Sequence, residues 1–207
     1  TGACVGANFT VTVVVIPGGY VNEMSTTICS GYPFNVTPTD GVNGIIPVGT
    51  KFRWELPTYS GSLSGGASNT DQLSIFGLLS NSSNVTQTAV YTVTPQITNC
   101  AAYASFTLTV FVNPTPVISA LSTVTCSGVL FAVSPVNGGS VIVPANTRYE
   151  WNVPAVSNVS LTGGLSASNQ TTVNGILTNN TNITRTAVYI VTPTATLGTC
   201  VGASFTV

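Results

Sequence analysis

The residues of this 207-residue chain whose type and spacing bear most directly on chemistry are its five cysteines, Cys4, Cys29, Cys100, Cys126 and Cys200. Thiols oxidise in pairs to disulfides in extracellular or periplasmic settings and pack as small apolar groups in reducing ones. Other reactive chemistry is thinly supplied. With no His, a Ser-His-Asp triad, a Cys-His pair and a His-ligated metal cannot be built. Glu23, Asp40, Glu55, Asp71 and Glu150 are the only acidic residues. They are too scattered to give each part of the chain a calcium cage, which needs several oxygens converging at about 2.3–2.6 Å. Lys51 is the only Lys, so repeated isopeptide cross-links have no donor. No catalytic residue, cofactor or metal site is expected, and an enzyme is disfavoured.

Only 4% of the chain is charged, against roughly 25% in an ordinary globular protein. Yet 43% is hydrophobic, which excludes a disordered tail. Four cations and a net charge of −1 cannot neutralise a row of phosphates or hold an anionic lipid surface. Nucleic acid is therefore not an expected partner. The longest apolar stretches, such as residues 11–16, fall far short of a membrane span, so no membrane insertion is expected. Thr, Ser, Asn and Gly replace the missing charges, and with the recurring cysteines they favour an oxidising, extracellular location. Any secretion signal is expected outside the residues given, which begin at Thr1. Asn-x-Ser/Thr triplets at Asn8, Asn35, Asn84, Asn158 and Asn182 are what a chain rich in Asn and Thr produces by chance.

The cysteines belong to a longer repeat. Cys29-Ser30-Gly31 returns as Cys126-Ser127-Gly128, Trp54 as Trp151 and Pro57 as Pro154, all displaced by 97 positions. Val90-Tyr91-Thr92-Val93-Thr94-Pro95 returns as Val188-Tyr189-Ile190-Val191-Thr192-Pro193, displaced by 98. Residues 4–11 nearly duplicate residues 200–207, with a looser copy from Cys100 to Val110. The chain thus reads as residues 1–16, the closing strand of a preceding repeat, then a unit at 17–113 and another at 114–207. Asn113-Pro114-Thr115-Pro116 is a short, stiff joint, since Pro fixes its own φ and biases its predecessor to extended conformations.

Within each unit the apolar period is two. Phe9, Val11 and Val13 alternate with Thr10 and Thr12, and Phe106, Leu108 and Val110 with Thr107 and Thr109, as half-buried strands do. Strand candidates recur about every ten residues between Gly, Asn, Pro and Ser clusters. The expected fold class is all-β: two tandem immunoglobulin-like sandwiches, almost free of helix, each with a Trp on its third strand. In the second unit strand A is expected at 117–120, B at 130–136, C at 148–153, a middle pair between 160 and 177, F at 187–193 and G at 201–207. Trp54 and Trp151 take the position that fills the sandwich centre, and Tyr91 and Tyr189 are assigned to the core with them.

Four segments together resemble the PKD-like and related Ig-like repeats of giant Bacteroidetes surface proteins, gliding-motility adhesins among them. They are the Cys-Ser-Gly openings (residues 27–31 and 125–128), the Pro-x-x-Thr-x-Tyr/Phe-x-Trp segments (47–54 and 144–151), the Val-Tyr-x-Val-Thr-Pro strands and the Cys-x-Gly-Ala-x-Phe-Thr-Val closing strand. The resemblance covers nearly the whole chain. It implies export, by the type IX route, and service as stalk units between an anchor and a distal adhesive tip.

Two disulfide schemes fit the spacing. Pairing within units joins Cys29 to Cys100 and Cys126 to Cys200, leaving Cys4 odd, and each loop adds roughly 4 kcal/mol in the chain-entropy model. In Ig topology, however, the A–B and F–G turns lie at opposite poles, while a disulfide needs Cα atoms within about 7 Å. A bridge from Cys29 to Cys200 across the joint is the alternative. The function expected from this architecture is that of a structural stalk or fibre segment whose partners are neighbouring repeats of the same or identical chains. The alternative is a carbohydrate- or surface-binding sandwich that meets extracellular surfaces or glycans itself. A further variant of the structural reading has residues 1–16 adding as a strand to a neighbouring sandwich, an edge that so few Lys leave unguarded.

Overall fold

The computed structural model describes residues 2–97 and 103–207, so Thr1 and the disulfide candidate Cys100 lie outside the described residues. The chain is all-β. Among the described residues the one helical element is a three-residue 3-10 turn, Leu197–Thr199.

The first unit contains β1 (Tyr20–Val21), β2 (Met24–Cys29), β3 (Pro33–Val36), β4 (Gly44–Ile45), β5 (Lys51–Trp54), β6 (Thr58–Tyr59), β7 (Leu63–Gly65), β8 (Asn69–Gln72), β9 (Ile75–Asn81), β10 (Gln87–Gln96) and β11 (Phe106–Asn113). One sheet runs β2-β11-β10-β5-β8, with β6 also on β10, and the facing sheet runs β3-β9-β7. β11 is the hinge of this arrangement. It pairs antiparallel with β10 from Gln87↔Val112 to Val93↔Phe106, and parallel with β2 from Leu108↔Met24 to Asn113↔Cys29. Its alternating Phe106, Leu108, Val110 and Val112 face inward and are buried, while Phe111 faces out. Edge-to-face ring pairs, Phe34 with Tyr91 and Phe52 with Phe106, lie among the buried residues, and the buried Trp54 meets the exposed Phe76 in the same way.

The second unit repeats the plan with β12 (Leu130–Val133), β13 (Arg148–Trp151), β14 (Ala155–Val156), β15 (Leu161–Gly163), β16 (Ala167–Gln170), β17 (Val173–Asn179), β18 (Ala187–Val188), β19 (Ile190–Ala195), β20 (Cys200–Val201) and β21 (Phe205–Thr206). Its sheets are β16-β13-β19 with β20 and β21 on β19, and β12-β17-β15, while β14 pairs β18. Small irregularities repeat as well: Asp71 in β8 and Asn169 in β16 both adopt a left-handed backbone, at φ 59 and 56. Each lies beside a register shift against the Trp-bearing strand.

Three expectations need correction. Strand A is not continuous at 117–120: Val117 only bridges to Ile142, as Tyr20 pairs with Ile45 one unit earlier. The A segment divides because its first part leans on the loop after strand B while its second part crosses to strand G. Strands B and C are also shorter than expected, ending at Val133 and Trp151. Finally, residues 2–16 form no strand in the described chain. Phe9, Val11, Val13 and Val15 are exposed by 70% or more, whereas their counterparts Phe106, Leu108, Val110 and Val112 are at most 4% exposed. An apolar row is buried only where flanking strands and a facing sheet cover it, and here none does.

Candidate functional site at the joint between the units

The cysteine-bearing turns meet where the two units join. β2 ends at Cys29 and turns at Ser30-Gly31, where Gly31 takes φ +81, a conformation that costs glycine little. The turn is held by Gly31 N–H donating to Leu79 O (2.9 Å), Tyr32 N–H to Cys29 O (3.1 Å) and Asn81 N–H to Ser30 Oγ (2.8 Å). From the other unit, the 3-10 turn after β19 delivers Cys200. Cys29 and Cys200 form a disulfide with Cα atoms 5.5 Å apart, closing 171 residues of sequence.

The pairings Cys29 to Cys100 and Cys126 to Cys200 are therefore not formed. The A–B turn of one sandwich sits at the pole where the F–G turn of the next arrives, so the bridge crosses the joint. Cys4 and Cys126 are free, exposed thiols.

Close backbone contact seats the units on each other. Gly198 has φ +74, and a Cβ there would stand 2.3 Å from Asn113 Nδ2; a Cβ at Gly202 would stand 2.3 Å from Pro116 O. A larger residue at Gly202 would run into the Pro116 backbone and force the joint apart, while one at Gly198 would displace the Asn113 side chain and strain a left-handed backbone. Thr115 Oγ1 donates to Ser30 O (3.0 Å), strapping the joint to the turn, and Thr86 Oγ1 donates to Asn113 Oδ1 (2.7 Å). Behind the turn, Asn81 is buried and fully used. Its Nδ2 donates to Val85 O (2.8 Å) and Val112 O (2.9 Å), and its Oδ1 accepts from Ser83 N–H (2.9 Å) and Ser83 Oγ (2.7 Å). Asn113 is legible in the sequence as the start of the joint and Gly202 as part of the closing-strand motif, though neither with its contact, while Asn81 and Gly198 are not singled out there. The repeat of Asn81-x-Ser83 as Asn179-x-Thr181 is a readable signal for Asn81.

The far pole of the second unit carries the same turn without a partner. Gly128 has φ +79, Gly128 N–H donates to Leu177 O (2.8 Å), Val129 N–H to Cys126 O (3.1 Å) and Asn179 N–H to Ser127 Oγ (2.9 Å). Cys126 is thus held as Cys29 is.

Trp54 and Trp151 are buried, and their indole N–H groups donate to Ala67 O (2.9 Å) and Leu165 O (3.0 Å). Neither ring face is free to stack on a sugar. Tyr91 and Tyr189 are buried beside them, and neither hydroxyl has a hydrogen-bond partner among the described residues. The Tyr91 hydroxyl is wedged against Gly66 and Gly77, where a Cβ would come within 2.8 and 3.2 Å of it. Burial, with a smaller contribution from Tyr59, pushes the Tyr91 phenol up to about 12, and burial raises those of Tyr149 and Tyr189 as well. A shallow groove of about 640 Å³ runs over the outer face of the second unit, between Glu150, Asn152, Ser166, Val188 and Ile190; the matching groove of the first unit is about 200 Å³. Among the described residues no group of three His, Cys, Asp or Glu side chains gathers at one place.

No curated protein matches the chain. Two stretches, 26–116 and 123–207, each match the PKD-like domain family, whose members are usually extracellular Ig-like modules. The first match begins within β2 and runs through the joint, the second begins three residues before Cys126, and residues 117–122 fall between them. By these two matches, which take in most of its length, the chain belongs to the PKD-like domain family.

Proposed function

We propose that the chain is a load-bearing spacer in a repetitive extracellular fibre, a stalk segment of a large bacterial surface adhesin. The observation that carries this reading is the Cys29–Cys200 bridge. Tension applied between residues 2–16 and Val207 passes along β1 and β2, through the disulfide, and out through β20 and β21. Everything else in both sandwiches lies inside the covalent loop and is excluded from the load. The close seating of Gly198 on Asn113 and Gly202 on Pro116 keeps the joint short and resists bending. The resemblance to gliding-motility adhesin repeats supports a Bacteroidetes-type surface fibre exported by the type IX route.

A carbohydrate- or surface-binding module is the second reading, and the larger groove on the second unit favours it. The groove offers Val188 and Ile190 as an apolar floor but no exposed aromatic face, because Trp151 is only 5% exposed. The spacer reading is therefore preferred.

Single-molecule extension between the chain ends tests it. With the bridge intact, the released length is confined to the residues outside the loop. Reduction, or Cys29→Ser, adds roughly 58 nm of chain as the enclosed residues become extensible. Equal extension of the oxidised and reduced proteins would refute the load-shielding role. Glycan-array binding by the oxidised protein, lost on Ile190→Asp, would shift the assignment to the module.

A further inference from the structure

The chain has only four cations and five acidic residues, yet Lys51, Arg53, Glu55, Arg148 and Glu150 all stand at one place of the repeat, the outer face of the Trp-bearing strand. Alternation puts them there. Phe52 and Trp54 in β5, and Tyr149 and Trp151 in β13, are buried in the sandwiches, so the residues between them face out. Glu55 and Asn152 continue the two strips just past the ends of β5 and β13. Arg53 and Glu150 hold equivalent positions with opposite charge, paired with Thr94 on β10 and Thr192 on β19. Both are exposed, and neither makes an ion pair among the described residues, where the one ion pair joins Lys51 to Asp71 (3.9 Å). The two faces differ in shape as well as in sign. Ala155 and Ala167 stand where the first unit has Thr58 and Asn69, and these smaller side chains leave the groove beside Glu150 the larger of the two.

We propose that the outer face of β5 in one copy of the chain docks side by side on the outer face of β13 in a second copy, the two strands antiparallel, with Arg53 entering the groove to meet Glu150. In that register Glu55 meets Arg148 and Lys51 lies over Asn152, so both charge contacts attract. A parallel register would set Lys51 on Arg148. Pairing of like units about the same centre would set Arg53 on Arg53 or Glu150 on Glu150, and each of these repels. Arginine suits the role, because its planar fork can hold the Glu150 carboxylate through two N–H donors while its apolar stem covers part of Ile190, which is 65% exposed. A second copy is the partner that the composition favours. A net charge of −1 supplies no long-range repulsion between copies, so a few placed charges decide which faces meet. Because every copy carries both faces, the contact closes as a pair or runs on as a lateral array. It concerns contact between chains and does not depend on the spacer reading.

Sedimentation of the 207-residue protein across a concentration series, at low and high salt, is the test. A Cys4→Ser/Cys100→Ser/Cys126→Ser background keeps other thiols from linking copies. Masses above the monomer are expected, and salt should weaken the association because the charged contact lies at a surface. Arg53→Glu and Glu150→Arg should each raise the dissociation constant by about tenfold, and the combined Arg53→Glu/Glu150→Arg variant should restore it. Arg148→Glu should weaken association too, whereas strengthening would mean parallel strands and overturn the register. Arg53 and Glu150 are exposed, so the urea midpoint of each variant should match that of the parent, which separates lost association from lost folding. A protein that is monomeric at every concentration would overturn the proposal. So would association blind to Glu150→Arg, as when two first units pair Arg53 with Glu55, or a double variant no better than the singles. Load shielding by Cys29–Cys200 is read on single molecules, where no second copy is present, so the two readings fail separately.

Discussion

The two sandwiches repeat one plan, and they differ at their cysteine poles: Cys29 is bridged to Cys200, while Cys126 is a free thiol. In the first unit β11 serves both β2 and β10, Val110 and Val112 are fully buried, and Asn81 satisfies all its polar atoms. In the second unit the same framework has an A segment without strand pairing and a divided strand F. The central aromatic packing hardly differs: Phe34–Tyr91 and Phe131–Tyr189 have centroids 5.6 and 5.4 Å apart. The centre of each sandwich is thus packed alike, and the contrast lies at the cysteine poles.

The largest expected effect is at the bridge. In the chain-entropy model a loop of this length stabilises by about 5 kcal/mol, so Cys29→Ser should lower the denaturation midpoint of the joined units sharply, while Cys126→Ser should leave it unchanged. Matching losses in the two variants, followed by urea denaturation, would erase the distinction between the poles. Next comes the paired asparagine. Asn81→Ala removes a buried group that makes four hydrogen bonds and should cost about 3 kcal/mol, whereas Asn179→Ala should cost about 1 kcal/mol because its second donor is unused.

Gly198→Ala tests the joint itself, where a left-handed backbone and the Asn113 side chain both oppose a Cβ. A loss of about 1–2 kcal/mol is expected, with faster reduction of the bridge by dithiothreitol. The smallest effect is at Tyr91. Its folded pKa, about 12, lies above the ordinary 10, so the unfolded chain loses the proton first. Stability is complete below pH 10 and falls as the pH rises from 10 to about 12. Tyr91→Phe, which also removes an unpaired buried hydroxyl, should be within about 1 kcal/mol of neutral at pH 7 and should flatten that alkaline decline. A denaturant midpoint measured at pH 7 and pH 11 checks both statements.

Much of the fold was legible because it rests on local alternation. Phe106-x-Leu108-x-Val110 announces a strand with one buried face, and the displaced copies of Cys-Ser-Gly, Trp and Val-Tyr-x-Val-Thr-Pro announce two sandwiches. At Phe9, Val11 and Val13 the same alternation meets no covering strand among the described residues, because a pattern states which face can be buried and not what covers it. Strand A was misplaced for a related reason. Its division between Val117–Ile142 and Leu121–Thr206 depends on partners far along the chain, which residues 117–120 do not reveal.

By itself the sequence determined the period, the all-β class, the dearth of charge and the cysteines available for pairing. These are properties of residue type and spacing, and they survive any arrangement of the units in space. Only the tertiary structure decided which cysteines meet, because equal spacing permits either scheme and the choice turns on which poles face each other. It likewise decided that Gly198 and Gly202 sit where a side chain would meet Asn113 and Pro116. Each of these depends on distances between backbones remote in sequence, which close contact sets and composition does not encode.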